Sequence, residues 1–396
     1  NINKYGNLII SPVGGSNIIF GNTDVLIYGN CTIKGQNADS WFCPTWDSNY
    51  PDPTNPGVFN IPRISKTITI NGNMDIQGGS LGWYGGNAGG AQNIVVNGNI
   101  TVASGAAINV WQSNTSQSLS IGGNLINNAN NIINTGSTCR SYVCLNVVPV
   151  IFFGNTNATV FTANNTAYAG ASGTGYGFTD PASPLHRSAT IFGNVTVNKG
   201  TSQATTLSFT GGNISTPVNG WLTLQNGTLQ YLLTDPRTDF TITTASTFTI
   251  PGTSGLEINL ASNANNTNVL IANANSNTND LYLNGKLTIA NSTVYVGPAA
   301  SPTNNNDIEY GGGGLSEIDV QGGTLVVNGQ IRMNPASTAG VLKYRQSGTS
   351  RVIINGQAAN TTNAKLEVYN PGSVFNMSGS SSLTIVRGGG GNTYGD

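Results

Sequence analysis

Charge is scarce in this sequence. Asp, Glu, Lys and Arg make up 8% of its residues, against about 25% in ordinary soluble domains. The 15 basic side chains nearly balance the 16 acidic ones. With no basic face to displace counterions from phosphates, nucleic-acid binding is excluded. Long apolar runs are lacking too. None approaches the roughly 20 residues that a bilayer-spanning helix needs, and the longest, 147–153, is interrupted by Pro149. A membrane-spanning chain is therefore not expected. Histidine occurs once, at His186, and the four cysteines form no C-x-x-C, so a zinc site lacks ligands. No G-x-S-x-G elbow is present to give His186 a nucleophile, and it reads as a loop residue. Amphipathic helix is lacking as well: no window repeats apolar residues at i, i+3, i+4 and i+7, and Gly, Asn and Thr form helix poorly.

What is abundant is Asn, with 56 residues, and Gly, with 52, beside 38% apolar residues. The apolar residues alternate over short stretches, as in Thr67-Ile68-Thr69-Ile70, Asn99-Ile100-Thr101-Val102 and Thr247-Phe248-Thr249-Ile250, which predicts strands. An imperfect unit recurs: Ile70-Asn71-Gly72-Asn73-Met74, then Val96-Asn97-Gly98-Asn99-Ile100, then Ile121-Gly122-Gly123-Asn124-Leu125. Later copies are Phe192-Gly193-Asn194-Val195, Leu283-Asn284-Gly285-Lys286-Leu287 and Val327-Asn328-Gly329-Gln330-Ile331. The early copies lie about 25 residues apart, a period typical of stacked repeats.

Asn-Gly between alternating runs is also a strong hairpin signal, because a type I′ turn needs positive φ at both central residues. Very short strands, the single period and the excess of Asn weigh instead for an all-β, right-handed parallel β-helix, a solenoid with loop insertions. There Asn would supply left-handed turns and stacked amide ladders. Each turn would bury its Ile, Val, Leu and Phe row against the next, about 4.8 Å away, and about ten to fifteen turns fit the length. We expect a single domain over 1–396, part of a longer chain, since it has neither an initiator Met nor a signal peptide. Insertions are expected at 36–61, 78–92, 168–187 and 298–315.

Few constellations suggest chemistry. Asp235-Pro236-Arg237-Thr238-Asp239 reads as a turn with a surface ion pair, although β-helix enzymes that cleave polysaccharides use such carboxylates. Asp307, Glu309, Glu317 and Asp319 flank a Gly run and could hold calcium, but they lack the spacing of a calcium loop and read as solvated loop charges. No other cofactor is implied. Trp41, Phe42, Trp46 and Tyr50 form an aromatic loop. Exposed rings there would stack on sugars or anchor a protein partner; the plainer reading has them packed against the strands. Of the three ways to pair two disulfides, the local ones, Cys31–Cys43 and Cys139–Cys144, are expected, with an oxidising compartment. Asn-x-Ser/Thr sites occur at the frequency composition alone gives and do not argue for glycosylation.

The stretch Gly322-Gly323-Thr324-Leu325-Val326-Val327-Asn328-Gly329-Gln330-Ile331-Arg332-Met333, with Gly340-Val341-Leu342-Lys343-Tyr344-Arg345-Gln346-Ser347-Gly348, resembles the β-helical repeats of very large surface proteins of Bacteroidota. Those proteins are exported by type IX secretion and include gliding-motility adhesins. The resemblance implies an outer-surface location, contact with secretion machinery, a C-terminal sorting domain that is not seen in this sequence, and adhesion to extracellular glycan or protein ligands. The expected function is thus a secreted structural or adhesive cell-surface protein and not an enzyme. A self-assembling extracellular filament or sheath subunit is the alternative, and a polysaccharide-active enzyme a second one.

Overall fold

A computed structural model describes residues 2–13, 17–18, 20, 23–36, 40–42, 65–84, 91–112, 117–129, 143–163, 190–212, 214–216, 219–234, 240–243, 246–260, 267–274, 279–299, 305–312, 315–356, 364–368 and 370–386. The described chain is all-β, and its strands run from two to twelve residues. Its contacts group into two compact units. One comprises Asn1–Gly154, Ala158–Val195 and Gly211–Pro217; the other comprises Asn155–Asn157, Thr196–Thr210 and Val218–Asp396.

In the first unit, successive strands pair in parallel and in register, with about 25 residues per step from Met74 to Leu125 and longer steps on either side. Leu8, Cys31, Met74, Ile100, Leu125 and Val160 form one row across six strands. A second row runs Val25, Ile68, Ile94, Leu119 and Val150, and a third Ile27, Ile70, Val96, Ile121 and Phe152. All but Leu8 are buried, because strand alternation puts every second residue inside. Each such aliphatic side chain contributes about 1.5–3 kcal/mol on burial.

The same register aligns the repeated Gly-Asn pairs. The Asn7 side-chain oxygen accepts the N–H of Asn30, Asn30 that of Asn73, Asn73 that of Asn99, and Asn99 that of Asn124, all at 2.8 Å; Asn124 then accepts the N–H of Thr159 at 2.7 Å. The ladder thus runs from side chain to backbone, satisfying N–H groups at the strand entrances. Positive φ is not the reason for the glycines beside it. Gly29, Gly72, Gly98 and Gly123 lie outside the left-handed region, where the only non-glycine residues among those described are Ala272 and Asn291. These glycines are needed for room: a β-carbon on any of them would collide with the Asn carboxamide of the preceding strand. This corrects the expectation that Asn and Gly serve here as left-handed turn residues.

The second unit has three parallel ladders. The first joins Leu222–Leu233, Ser254–Asn259, Lys286–Ala290, Leu315–Gln321, Val341–Ser347 and Val374–Met377. A six-stranded sheet runs from Phe240–Thr241 to Ser382–Ile385, and a four-stranded one from Phe248–Ile250 to Ile331–Met333. Buried aromatic rings pack together in the core of this unit. Tyr231 stacks on Phe240 at 3.7 Å between centroids, and Trp221 meets Phe240 edge-on at 4.9 Å while donating its indole N–H to the Thr241 carbonyl.

The expected right-handed β-helix needs correction. The main sheet closes into a parallel barrel of nine strands, and other sheets are parallel but open, so the solenoid assignment does not stand. Long strands explain why pairing continues around bends. Met74–Tyr84 pairs at 74–76 with Cys31–Lys34 and Ile100–Val102, and at 79–84 with Ala106–Gln112. Val143–Gly154 pairs at Val143 with Ile108, and at 150–152 with Leu119, Ser120 and Ile121. Three expected insertions also prove to be partly strand, and Trp41–Phe42 is a short one within 36–61. Residues 78–84 continue a strand through Gly79, whose φ is +71°, and bury Trp83. Within 298–315, Ile308–Tyr310 is a buried strand.

Candidate functional site

The outward face of the first ladder in the second unit carries most of its polar chemistry. One row runs Gln230, Glu257, Thr288, Asp319, Arg345 and Asn376; its neighbour runs Thr228, Gly255, Lys286, Glu317, Lys343 and Val374. Opposite charges therefore face each other across strands. The Lys286 ammonium lies 3.1 Å from a Glu317 oxygen and 3.5 Å from an Asp319 oxygen. Gln321 donates to Asp319 at 2.7 Å, and Gln230 donates to Glu257 at 2.8 Å while accepting from the Ser208 hydroxyl. Around Gly255 the face carries an open groove of about 400 Å³, bordered by Thr206, Gln230, Glu257, Lys286, Thr288 and Gln321 among others.

Beneath another face of the same unit lies a buried ionic cluster. Asp280, Asp307 and Gln330 precede three paired strands. Asp280 accepts the Asp307 N–H and Asp307 accepts the Gln330 N–H, both at 2.8 Å, which repeats the Asn ladder with carboxylates. Arg332 hydrogen-bonds Glu309 at 2.6 Å. Its Nε lies 2.7 Å from an Asp307 oxygen as an ion pair, without the alignment of a hydrogen bond. Burial pushes the Asp280 carboxyl up to about 7, reinforced by the Asp307 and Glu309 charges. Burial also raises Asp307 and Glu309, against the pull of Arg332.

The acidic set Asp307, Glu309, Glu317 and Asp319 is thus not a group of solvated loop charges. Two members are buried against Arg332, and two pair with Lys286. Their oxygens are engaged by protein cations and N–H groups, and the described residues contain no grouping of three or more His, Cys, Asp or Glu suited to a metal.

The other expected site residues fall as follows. Phe42 is a core residue and not an exposed ligand platform. It is 1% exposed and meets Phe20 edge-on at 5.2 Å, because its strand pairs in register with Ile18 and Leu81. Trp41 lies on that strand, paired with Asn17 and Ser80. Trp46, Tyr50, Asp235, Arg237, Asp239 and His186 lie outside the described residues. The Cys31–Cys43 bridge is corrected, since Cys31 holds a free, buried thiol. It occupies an inward position between Leu8 and Met74, so it acts as a small apolar filler. Burial, helped by the Asp75 charge, pushes its thiol up to about 12. Cys144 is disulfide-bonded; Cys43 and Cys139 lie outside the described residues.

Sequence reasoning missed the groove, because Gln203, Thr228 and Lys286 are far apart in the chain and share no motif. The strand register was the only signal that could have joined them. Set against known proteins, the chain matches no family model, no curated protein and no solved structure.

Proposed function

We propose that this chain is a secreted structural or adhesive element of a cell surface, acting through its exposed polar faces. The observation that carries this reading is the continuous Asn7-Asn30-Asn73-Asn99-Asn124 ladder, with its glycines. It commits a repeated polar motif to holding strands in register, which keeps the surface they form fixed for contact. The bonded Cys144 supports an oxidising compartment. The resemblance of 322–333 and 340–348 to type IX-exported Bacteroidota proteins supports the outer surface, and a role in attachment or gliding. The test presents the full chain on beads to cells and to immobilised polysaccharides. Retention without release of reducing sugar is expected. Product release, or no retention on any surface, would refute the proposal.

One observation favours the filament reading as a second. Phe375 is 51% and Ile385 42% exposed, on strands that have a single partner among the described residues. Phe375 stacks on Tyr344, with centroids 5.2 Å apart, and leaves its other face open. Sedimentation velocity across a concentration series tests this. Assembly abolished by Phe375→Lys is expected on the filament reading, and a concentration-independent monomer refutes it.

A further inference from the structure

We propose that the groove around Gly255 is a binding site for an uncharged, hydroxyl-rich polymer, an extended neutral glycan. This deepens the surface-contact reading and rests on it. The groove's volume, about 400 Å³, lies within the range of small-ligand sites. Its lining is assembled by register: Thr228, Gly255 and Lys286 share one outward row, and Gln230, Glu257 and Thr288 share the next.

The groups around it alternate donors and acceptors. Thr206, Thr228 and Thr288 bring hydroxyls, Gln230 and Gln321 amides, and Glu257 a carboxylate. Two of these are held in place before any ligand arrives. Gln230 is fixed between Ser208 and Glu257, and the Thr228 hydroxyl donates to the Gln203 carbonyl at 2.8 Å. Such pre-set groups lower the ordering cost of binding.

Charge selects the ligand class. Glu317 and Asp319 balance the Lys286 ammonium, so Lys286 offers N–H donors without a net positive field. An anionic polymer would meet the Glu257 carboxylate beside a Lys286 that is already balanced. A neutral ligand whose adjacent hydroxyls both donate and accept meets no such penalty. The lining comes from neighbouring strands about 4.8 Å apart, so hydroxyl, amide and carboxylate groups are offered at successive steps, which suits a chain better than a compact molecule.

The test uses the full chain and soluble probes: neutral cello-, xylo- and laminari-oligosaccharides, with oligogalacturonate as the anionic control, by titration calorimetry. At least one neutral series should bind, and oligogalacturonate should not. Thr288→Trp, which fills the groove from an outward position, should weaken binding by about tenfold or more, with an unchanged unfolding midpoint. Glu257→Gln should weaken it less. Neutral probes that fail to bind, or that bind Thr288→Trp as well as the parent, overturn the site. If beads still hold surfaces when Thr288→Trp leaves retention unchanged, the groove falls and the contact role stands. If soluble oligosaccharide titrates the groove while beads hold nothing, the contact role falls and the groove stands.

Discussion

The side-chain oxygen of Asn73 stands where a β-carbon on Gly98 would be, and from there it accepts the Asn99 N–H at 2.8 Å. The Gly72 carbonyl oxygen closes the same space, 2.6 Å from that imagined carbon. One residue's lack of a side chain is thus the condition for another's hydrogen bond. The recurrent Gly-Asn pair is a spatial lock between strands.

This lock makes a prediction about coupling. Gly98→Ala should destabilise the protein by about 2 kcal/mol or more through forced displacement. Asn73→Ala should cost about 1–2 kcal/mol by leaving the Asn99 N–H unmade. Because Asn73→Ala also removes one of the two obstacles to a β-carbon at position 98, the double variant should cost less than the sum. A coupling of at least about 0.5 kcal/mol is expected in urea denaturation. Strict additivity would show that the two residues do not act together.

Cys31 gives a second prediction. Its thiol is buried, and its proton is held up to about 12, so the reactive thiolate is scarce at pH 8. In the folded protein, iodoacetamide should leave the peptide containing Cys31 unmodified, and labelling should appear only on unfolding. Rapid labelling under native conditions, read by mass spectrometry, would contradict the inward placement. Cys31→Ser should destabilise more than Cys31→Val, since the row it occupies is apolar.

The strands and their inward rows were legible before any coordinates. Ile68 and Ile70, Ile100 and Val102, and Phe248 and Ile250 alternate with polar residues in sequence and are all buried. The 25-residue spacing appears as the parallel pairing of Ile100 with Met74 and Leu125. The closure of the main sheet was not legible. It depends on strands that continue where the sequence suggests loops, as at Gly78 and Gly79, and glycine looks the same whether it ends a strand or bends one. Phe42 shows a related limit: clustering of aromatics does not say which way a strand's alternation points them, and its burial agrees with the plainer reading of rings packed against the strands. The groove was illegible because its lining assembles only through register.

The Asp280 carboxyl supplies a pH prediction whose sign opposes the usual carboxylate case. Its folded value, about 7, lies above its ordinary value of 3.8. The native state therefore binds the proton more tightly than the unfolded chain, and stability should fall as pH rises from about 4 to about 7. The limit is about 1.4 kcal/mol per pH unit. Asp307 and Glu309 shift in the same direction and add to the trend. Asp280→Asn keeps the side-chain oxygen that accepts the Asp307 N–H and removes the charge. It should stabilise the protein at pH 8 and flatten the profile, as read by thermal unfolding from pH 4 to 8. A variant no more stable than the parent at pH 8 would show that Asp280 is not strained by its charge.

Arg332 is the counterweight in that cluster, and its removal should behave differently from removal of a surface cation. Its guanidinium meets Glu309 at 2.6 Å and Asp307 at 2.7 Å, both carboxylates being nearly inaccessible to solvent. Arg332→Met preserves much of the side chain's length but leaves these charges uncompensated, a loss on the order of 3–5 kcal/mol at neutral pH. Lowering the pH lets the carboxylates protonate, so the penalty should shrink toward pH 4. Combining Arg332→Met with Asp307→Asn and Glu309→Gln should recover much of the loss at pH 7. If the triple variant were as unstable as Arg332→Met alone, the guanidinium would be acting through packing of its stem and not through charge.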